Sequence, residues 1–141
     1  MSEGIYAGDI GPKAAWDAMA GNDKVALLDV RTSAEWAYVG LPDLSTLARQ
    51  PLLVPWLMFP SMQINTDFVT QVSETGVDPE QDLLILCRSG VRSKAAAIAL
   101  TAAGFSTCYN ISYGFEGDKG PAGHRGTING WKVDGLAWVQ G

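Results

Sequence analysis

Cysteine and histidine are almost missing from this chain of 141 residues, which holds two of the first and one of the second. The two cysteines, Cys87 and Cys108, are too few for a disulfide framework, and they lack the CxxC spacing of a zinc site. No metal and no other cofactor is expected. Basic residues are also few. Ten Lys and Arg stand against fifteen Asp and Glu, a net charge of −5, so nothing draws the chain as a whole to nucleic acid or to an anionic membrane surface. The opening MSEGIYAGDIGPK lacks the charged-then-apolar pattern of a leader. No apolar run reaches the roughly 18 residues of a membrane span. The most apolar loop-like stretch, PLLVPWLMFP over 51–60, is broken by Pro51, Pro55 and Pro60. These absences lead to the expectation of a soluble, cytoplasmic protein with neither nucleic-acid nor membrane partners.

What is present is enough apolar sequence, 47%, for a self-sufficient core. One domain over residues 1–141 is expected, with 118–141 as a glycine-rich tail packed on it. Gly11-Pro12 ahead of KAAWDAM predicts a helix with proline in its first turn. VALLDV (25–30) and DLLILC (82–87) are continuous apolar runs, patterned as buried parallel strands. STCYNI (106–111) is a third strand, and LLVPW (52–56) is a further one ended by Pro55. SAEWAY (33–38) predicts a short helix with Ser33 as its N-cap, and NTDFVTQVSETG (65–76) a helix closed by Gly76. SKAAAIALTAAG (93–104) predicts an alanine-rich helix that packs closely on a sheet, stopping at Gly104 with an apolar contact from Phe105. Strands alternating with helices give an α/β sheet covered on both faces. Past Ser112 the chain has no clear period, and Trp131 and Trp138 are its expected anchors.

Cys87 closes the apolar run, and a Gly/Ser/Arg loop joins it to the alanine-rich helix. In α/β sheets ligands gather at the carboxyl ends of strands. The following helix aims its amino terminus at the same place, with unsatisfied N–H groups and roughly half a positive charge. The loop Arg88-Ser89-Gly90-Val91-Arg92 is suited to curling its amides around one atom, because Gly90 takes turns that other residues resist. The atom at the centre is the Cys87 sulfur. Amides, helix terminus and the flanking guanidinium groups of Arg88 and Arg92 favour a thiolate at neutral pH and stabilise a negatively charged product on it. The bland alternative is a strand-end cysteine packed as a small hydrophobe beside solvated arginines. Strand, cysteine, loop and immediate helix together favour the reactive thiol.

These residues resemble a known family. CRSGVRS is similar to the active-site loop of the rhodanese-like sulfurtransferases. LLDVRTSAEW (27–36) resembles their upstream motif, and AAGFSTCYNISYGFEG (102–117) a downstream segment, so the likeness spans residues 9 to 117 or so. The chain thus resembles a single-domain thiosulfate sulfurtransferase. The resemblance implies a five-stranded parallel sheet with helices on both sides. It implies that Cys87 accepts a sulfane sulfur from a small anionic donor such as thiosulfate. The resulting persulfide passes that sulfur to a thiophilic acceptor, cyanide or a thiol. Arg88 and Arg92 would hold the donor. The backbone of Ser89, Gly90, Val91, Arg92 and Ser93 would hold the persulfide, with the Ser93 hydroxyl in reach of the sulfur. Two departures bear on this. Leu41, within VGLPDL (39–44), occupies the place where the family often has a histidine, which affects the entrance and donor choice rather than the chemistry. Gly114-Phe115 replaces the paired glycines near the end.

Asp29, Arg31 and Glu35 are read as structural support: Arg31 is held by a carboxylate and braces the strand end. Cys108 is read as core, and His124 in GPAGHRG as a surface residue that this chemistry does not need. Trp36 and Trp56, near strand ends, are candidates for the pocket wall. Two rival functions start from the same thiol. A cysteine phosphatase or arsenate reductase follows Cys-x5-Arg, which would put arginine at position 93. Ser93 stands there, and the ring ending on it fits one sulfur atom rather than a tetrahedral oxyanion. A persulfide carrier or sensor would exchange sulfur with a protein donor or acceptor in place of thiosulfate turnover.

Overall fold

The computed structural model describes residues 4–140. Its elements, in chain order, are β1 (Gly8–Ile10), α1 (Pro12–Gly21), β2 (Ala26–Asp29), α2 (Ser33–Tyr38), β3 (Leu41–Pro42), β4 (Leu52–Leu53) and β5 (Leu57–Met58). There follow β6 (Gln63–Ile64), α3 (Phe68–Glu74), β7 (Asp82–Leu86), α4 (Val91–Ala102), β8 (Thr107–Ile111) and β9 (Trp138–Val139). Five strands form one parallel sheet in the order β1-β8-β7-β2-β4. No helix among the described residues is long and apolar enough to cross a membrane.

Central strand β7 divides the core by its alternation. Leu83, Ile85 and Cys87 belong to one buried cluster with Phe68 and Val72 of α3 and Ala96, Ala97 and Leu100 of α4. Leu84 and Leu86 belong to the other, with Ala15 and Met19 of α1 and with Phe115 and Trp131 from beyond β8. Successive side chains of a strand point to opposite faces, so an all-apolar run is what a sheet covered on both sides requires. The small side chains of α4 let it lie close on β7 and β8, which brings its first turn over the end of β7.

Several boundaries differ from the sequence reading. The alanine-rich helix begins at Val91, ahead of Ser93, because Gly90 at φ 109° turns the chain directly into it. Arg92 and Ser93 therefore lie in its first turn. Helix α2 is capped by Thr32, not Ser33. The Thr32 hydroxyl accepts from Glu35 N, and Glu35 Oε1 accepts from Thr32 N, a reciprocal box. The helix expected over 65–76 is confined to Phe68–Glu74 because Asn65 is engaged elsewhere: its Nδ2 donates to Pro55 O at 3.0 Å and its Oδ1 accepts from Asp67 N. Strand β4 stops before Pro55, and the chain beyond it folds into an antiparallel hairpin of β5 and β6. Edge strand β1 is three residues long, too short to leave a period in the sequence.

Past β8 the chain crosses the α1 face. Trp131 is fully buried there, edge-on to Trp16 with ring centroids 5.9 Å apart. Its Nε1 donates to Ala137 O at 2.9 Å. The chain then pairs β9 antiparallel to β3. Trp138 stays 38% exposed, so of the two expected anchors only Trp131 enters the core. Trp131→Ala is expected to cost about 3–5 kcal/mol, the usual loss for a large aromatic removed from a core. Urea unfolding monitored by circular dichroism checks this. A loss of less than about 1 kcal/mol would mean that the tail merely lies against the domain.

Candidate active site

Cys87 follows the last residue of β7, and strand alternation turns its side chain onto the α4 face, where it is 1% exposed. The Gly90 N–H donates to Sγ at 3.1 Å, and Ser93 Oγ lies 3.1 Å from the same sulfur. Counting donors fixes how that hydroxyl works. Sheet register sets Asp9 opposite Asn110, and Asn110 Nδ2 donates to the Asp9 carboxylate at 3.1 Å. The amide oxygen of Asn110 thereby faces Ser93 and accepts its hydroxyl proton. Ser93 has one proton. With that proton on Asn110, the hydroxyl offers sulfur a lone pair, which suits a sulfur that bears its own proton. A sulfur that carries negative charge requires the proton to rotate from Asn110 to Sγ. One bond rotation therefore serves both states of the sulfur.

The first two peptides of the loop, just ahead of the Gly90 amide, are strapped by their carbonyls to the segment beyond β8. Cys87 O accepts from Phe115 N at 2.8 Å, and Arg88 O accepts from Glu116 N at 3.0 Å and Gly117 N at 3.2 Å. This strap needs glycine at 114: φ is 61°, and a Cβ there would lie 2.4 Å from the Cys87 carbonyl oxygen. Phe115 is fixed in turn by Arg31, whose Cζ sits 4.3 Å from its ring centroid. Arg31 is fully buried. Its Nε and Nη2 grip Asp29 at 2.9 and 2.6 Å, and Nη2 also donates to Gly40 O at 2.8 Å. The Asp29–Arg31 pair thus positions Phe115, and Phe115 positions the Cys87 peptide.

Glu35 does not brace Arg31. Its two oxygens take Arg92 Nη1 and Nη2 at 2.7 and 2.9 Å, the bidentate geometry of a strong ion pair. Burial alone would raise the Glu35 pKa. The Arg92 hydrogen bond and charge, together with Thr32, outweigh it and hold the carboxyl below the usual range. Burial also works against the charge of Arg92, and Glu35 again outweighs it. Arg92 is a clasp between α2 and the first turn of α4 as well as a residue that borders the space over Cys87, so part of its charge is taken by Glu35.

A cavity of about 390 Å³ opens over the thiol. Its lining is Cys87, Arg88, Ser89, Val91 and Arg92 from the loop and α4, Leu57 and Met62 from the hairpin, and Arg125 from the tail. Arg125 Nη1 donates to Gly117 O at 2.7 Å, which ties it to the strap and uses one N–H of its five. Sequence reasoning missed Arg125, Leu57 and Met62. The first adjoins the single histidine in a segment without period, and the other two lie in the proline-broken stretch. Trp36 and Trp56 do not line the cavity; Trp56 packs edge-on against Phe68 at 5.1 Å. Leu41 is paired with Val139 in β3 and β9, outside that lining. Cys108 is fully buried, and that burial pushes its thiol pKa up. His124 is exposed. Among the described residues, no group of three His, Cys, Asp or Glu could hold a metal ion.

Comparison with known proteins agrees with this architecture. A family model described as the STR4 middle domain matches residues 8–141. An uncharacterized protein of Rickettsia rickettsii, the RP600 homolog, is 38% identical over 125 residues, covering 88% of this chain and 90% of that protein. The chloroplastic rhodanese-like domain-containing protein 4 of Arabidopsis thaliana is 26% identical over 129 residues, which are 91% of this chain and 25% of that protein. The crystal structure of Rv0390 from M. tuberculosis superposes with a TM-score of 0.90 at 42% identity, covering 97% of this chain and all of the other. The polysulfide-sulfur transferase homodimer of Wolinella succinogenes shares the fold, with a TM-score of 0.61 at 22% identity over 94% of this chain and 78% of that one. The chain belongs to the STR4 middle domain family, and its fold is that of the rhodanese-like domains.

Proposed function

We propose that the chain is a sulfurtransferase of the thiosulfate type, working through a persulfide on Cys87. The observation that carries this is the sulfur's setting. It lies at the end of a parallel strand, touched by the Gly90 amide and the Ser93 hydroxyl, at the base of a cavity with three arginines in its lining. The Cys87 thiolate attacks the outer sulfur of thiosulfate. The new S–S bond forms as the old one breaks, and sulfite leaves with the electron pair. Cyanide or a thiol then takes the outer sulfur and returns the pair to Cys87. The Ser93 proton follows the charge by rotating away from Asn110. Arg88 and Arg125 hold the anionic donor, while the Glu35–Arg92 clasp keeps the first turn of α4 in place. Residues 1–141 act as one domain in this reading, with 118–141 supplying part of the site. A carrier that passes sulfur to a protein is the second reading, favoured by the apolar hairpin residues at the cavity.

Wild-type protein treated with thiosulfate is expected to gain the mass of one sulfur atom at Cys87 and to release sulfite; Cys87→Ser should do neither. Sulfite release by that variant at the wild-type rate would exclude the persulfide route. Arg125→Ala should raise KM for thiosulfate about tenfold with little change in kcat, the loss of one charge-assisted contact to the bound donor. Steady-state kinetics that leave KM unmoved would take Arg125 out of donor binding. Glu35 has a lower pKa folded than its ordinary 4.5, so its clasp stabilises the domain above that value and is lost as pH falls through the folded value. Wild type should therefore lose more stability than Glu35→Gln between neutral pH and mild acid, measured as parallel melting curves.

A further inference from the structure

The cavity over Cys87 is bordered by side chains that a small inorganic donor has no use for. In the β5–β6 hairpin, Leu57 pairs across with Ile64, so both lie on the face that turns toward the cavity. Ile64 is 58% exposed, as is Phe59 at the hairpin tip, and Val91, beside the thiol in the first turn of α4, is 76% exposed. Two of the four methionines of the chain, Met58 and Met62, sit in this same hairpin and are partly exposed. Unbranched, polarizable methionine adapts to varied apolar surfaces, and exposed apolar patches of this kind mark interaction sites. The charge is equally local. The chain carries a net −5, yet three of its ten basic residues, Arg88, Arg92 and Arg125, line this one cavity. Glu35 neutralises Arg92; among the described residues, Arg88 and Arg125 make no such ion pair.

An acidic partner is repelled by most of this surface and attracted only at the mouth above the sulfur, which orients its approach. Apolar residues beside the cations would bury its neighbouring side chains. We propose that the hairpin, Val91 and the two arginines form a docking face for a protein sulfur acceptor, one that presents its cysteine on an extended segment flanked by acidic and apolar residues. This rests on the reading of Cys87 as a sulfur carrier. In the transfer, the acceptor thiolate attacks the outer sulfur of the Cys87 persulfide. An S–S bond forms on the acceptor, the bond to Cys87 breaks, and its electron pair stays on Sγ. The persulfide proton moves with the outer sulfur, so charge balances and no oxidant is needed.

The test uses the full chain loaded with thiosulfate and two synthetic peptide thiols of equal length. One has Glu and Leu around its cysteine; in the other Lys replaces Glu. The acidic peptide should discharge the persulfide about tenfold faster, and the advantage should shrink with added salt. The double variant Phe59→Ser/Ile64→Ser should lose most of that advantage while loading, and discharge to dithiothreitol, stay at wild-type rates. Equal rates for the two peptides, or an unaltered rate for the double variant, would overturn the proposal. Fluorescence anisotropy with the same peptides carrying Ser for Cys reads docking whether or not sulfur loads. Absence of loading with preferential acidic-peptide binding would sink the carrier chemistry and leave the docking face standing; absence of that preference would sink the face. A concentration-dependent dimer that the double variant dissolves would reassign the hairpin to a second copy of the chain.

Discussion

The site depends on where two carbonyl groups point. Cys87 O and Arg88 O are both taken by amides of residues 115–117, which fixes the Cys87–Arg88 and Arg88–Ser89 peptides and so the stretch that carries the Gly90 amide to the sulfur. An uncovered loop of this composition would be free to direct those oxygens at the sulfur, where they would repel negative charge. The strap removes that choice. It also explains the place of the upstream motif, which touches no sulfur. Asp29 holds Arg31, Arg31 holds the ring of Phe115, and Phe115 N–H holds Cys87 O. From the other side, Glu35 holds Arg92 in the first turn of α4. Both ends of the short stretch from 29 to 35 are thus spent on the geometry of one loop.

Much of this was legible in the sequence because it is local or periodic. The runs around Leu27 and Leu84 read as strands covered on both faces, and the thiol at the end of the second run marked the candidate site. Gly90 and the alanine-rich helix behind it gave the cradle. The partner of Glu35 was not legible. Arg31 and Arg92 are both plausible by charge, and only the packing of α2 beside α4 brings Arg92 within 2.7 Å. Arg125 was hidden for a related reason. Its segment has no period, and it reaches the cavity through the bonds of Arg125 to Gly117 O and of Gly126 N to Glu116 O, which are tertiary facts of the fold. Strand β1 was missed through brevity, although its Asp9 completes the polar chain from Ser93 through Asn110.

The arginines divide the work between them. Arg31 is buried and structural, Arg92 is committed to Glu35, and Arg88 and Arg125 border the open space over the thiol. A single count of positive residues would have assigned them one purpose. Their separate partners set how much of each charge is left to act on an incoming anion. An acidic chain can in this way keep a small basic mouth without becoming a general polyanion binder.

In the proposed cycle of sulfur loading and discharge, the rotation of the Ser93 hydroxyl sets what must move. The charge on Cys87 changes, but the compensating adjustment is the swing of one hydrogen between Asn110 and sulfur; the carbonyls, the ring of Phe115 and the clasp on Arg92 keep their places. Reorganisation is confined to the lightest atom in the neighbourhood. The proposed chemistry is therefore compatible with a lattice: on that reading, protein packed in a crystal would pick up sulfur and release it without cracking.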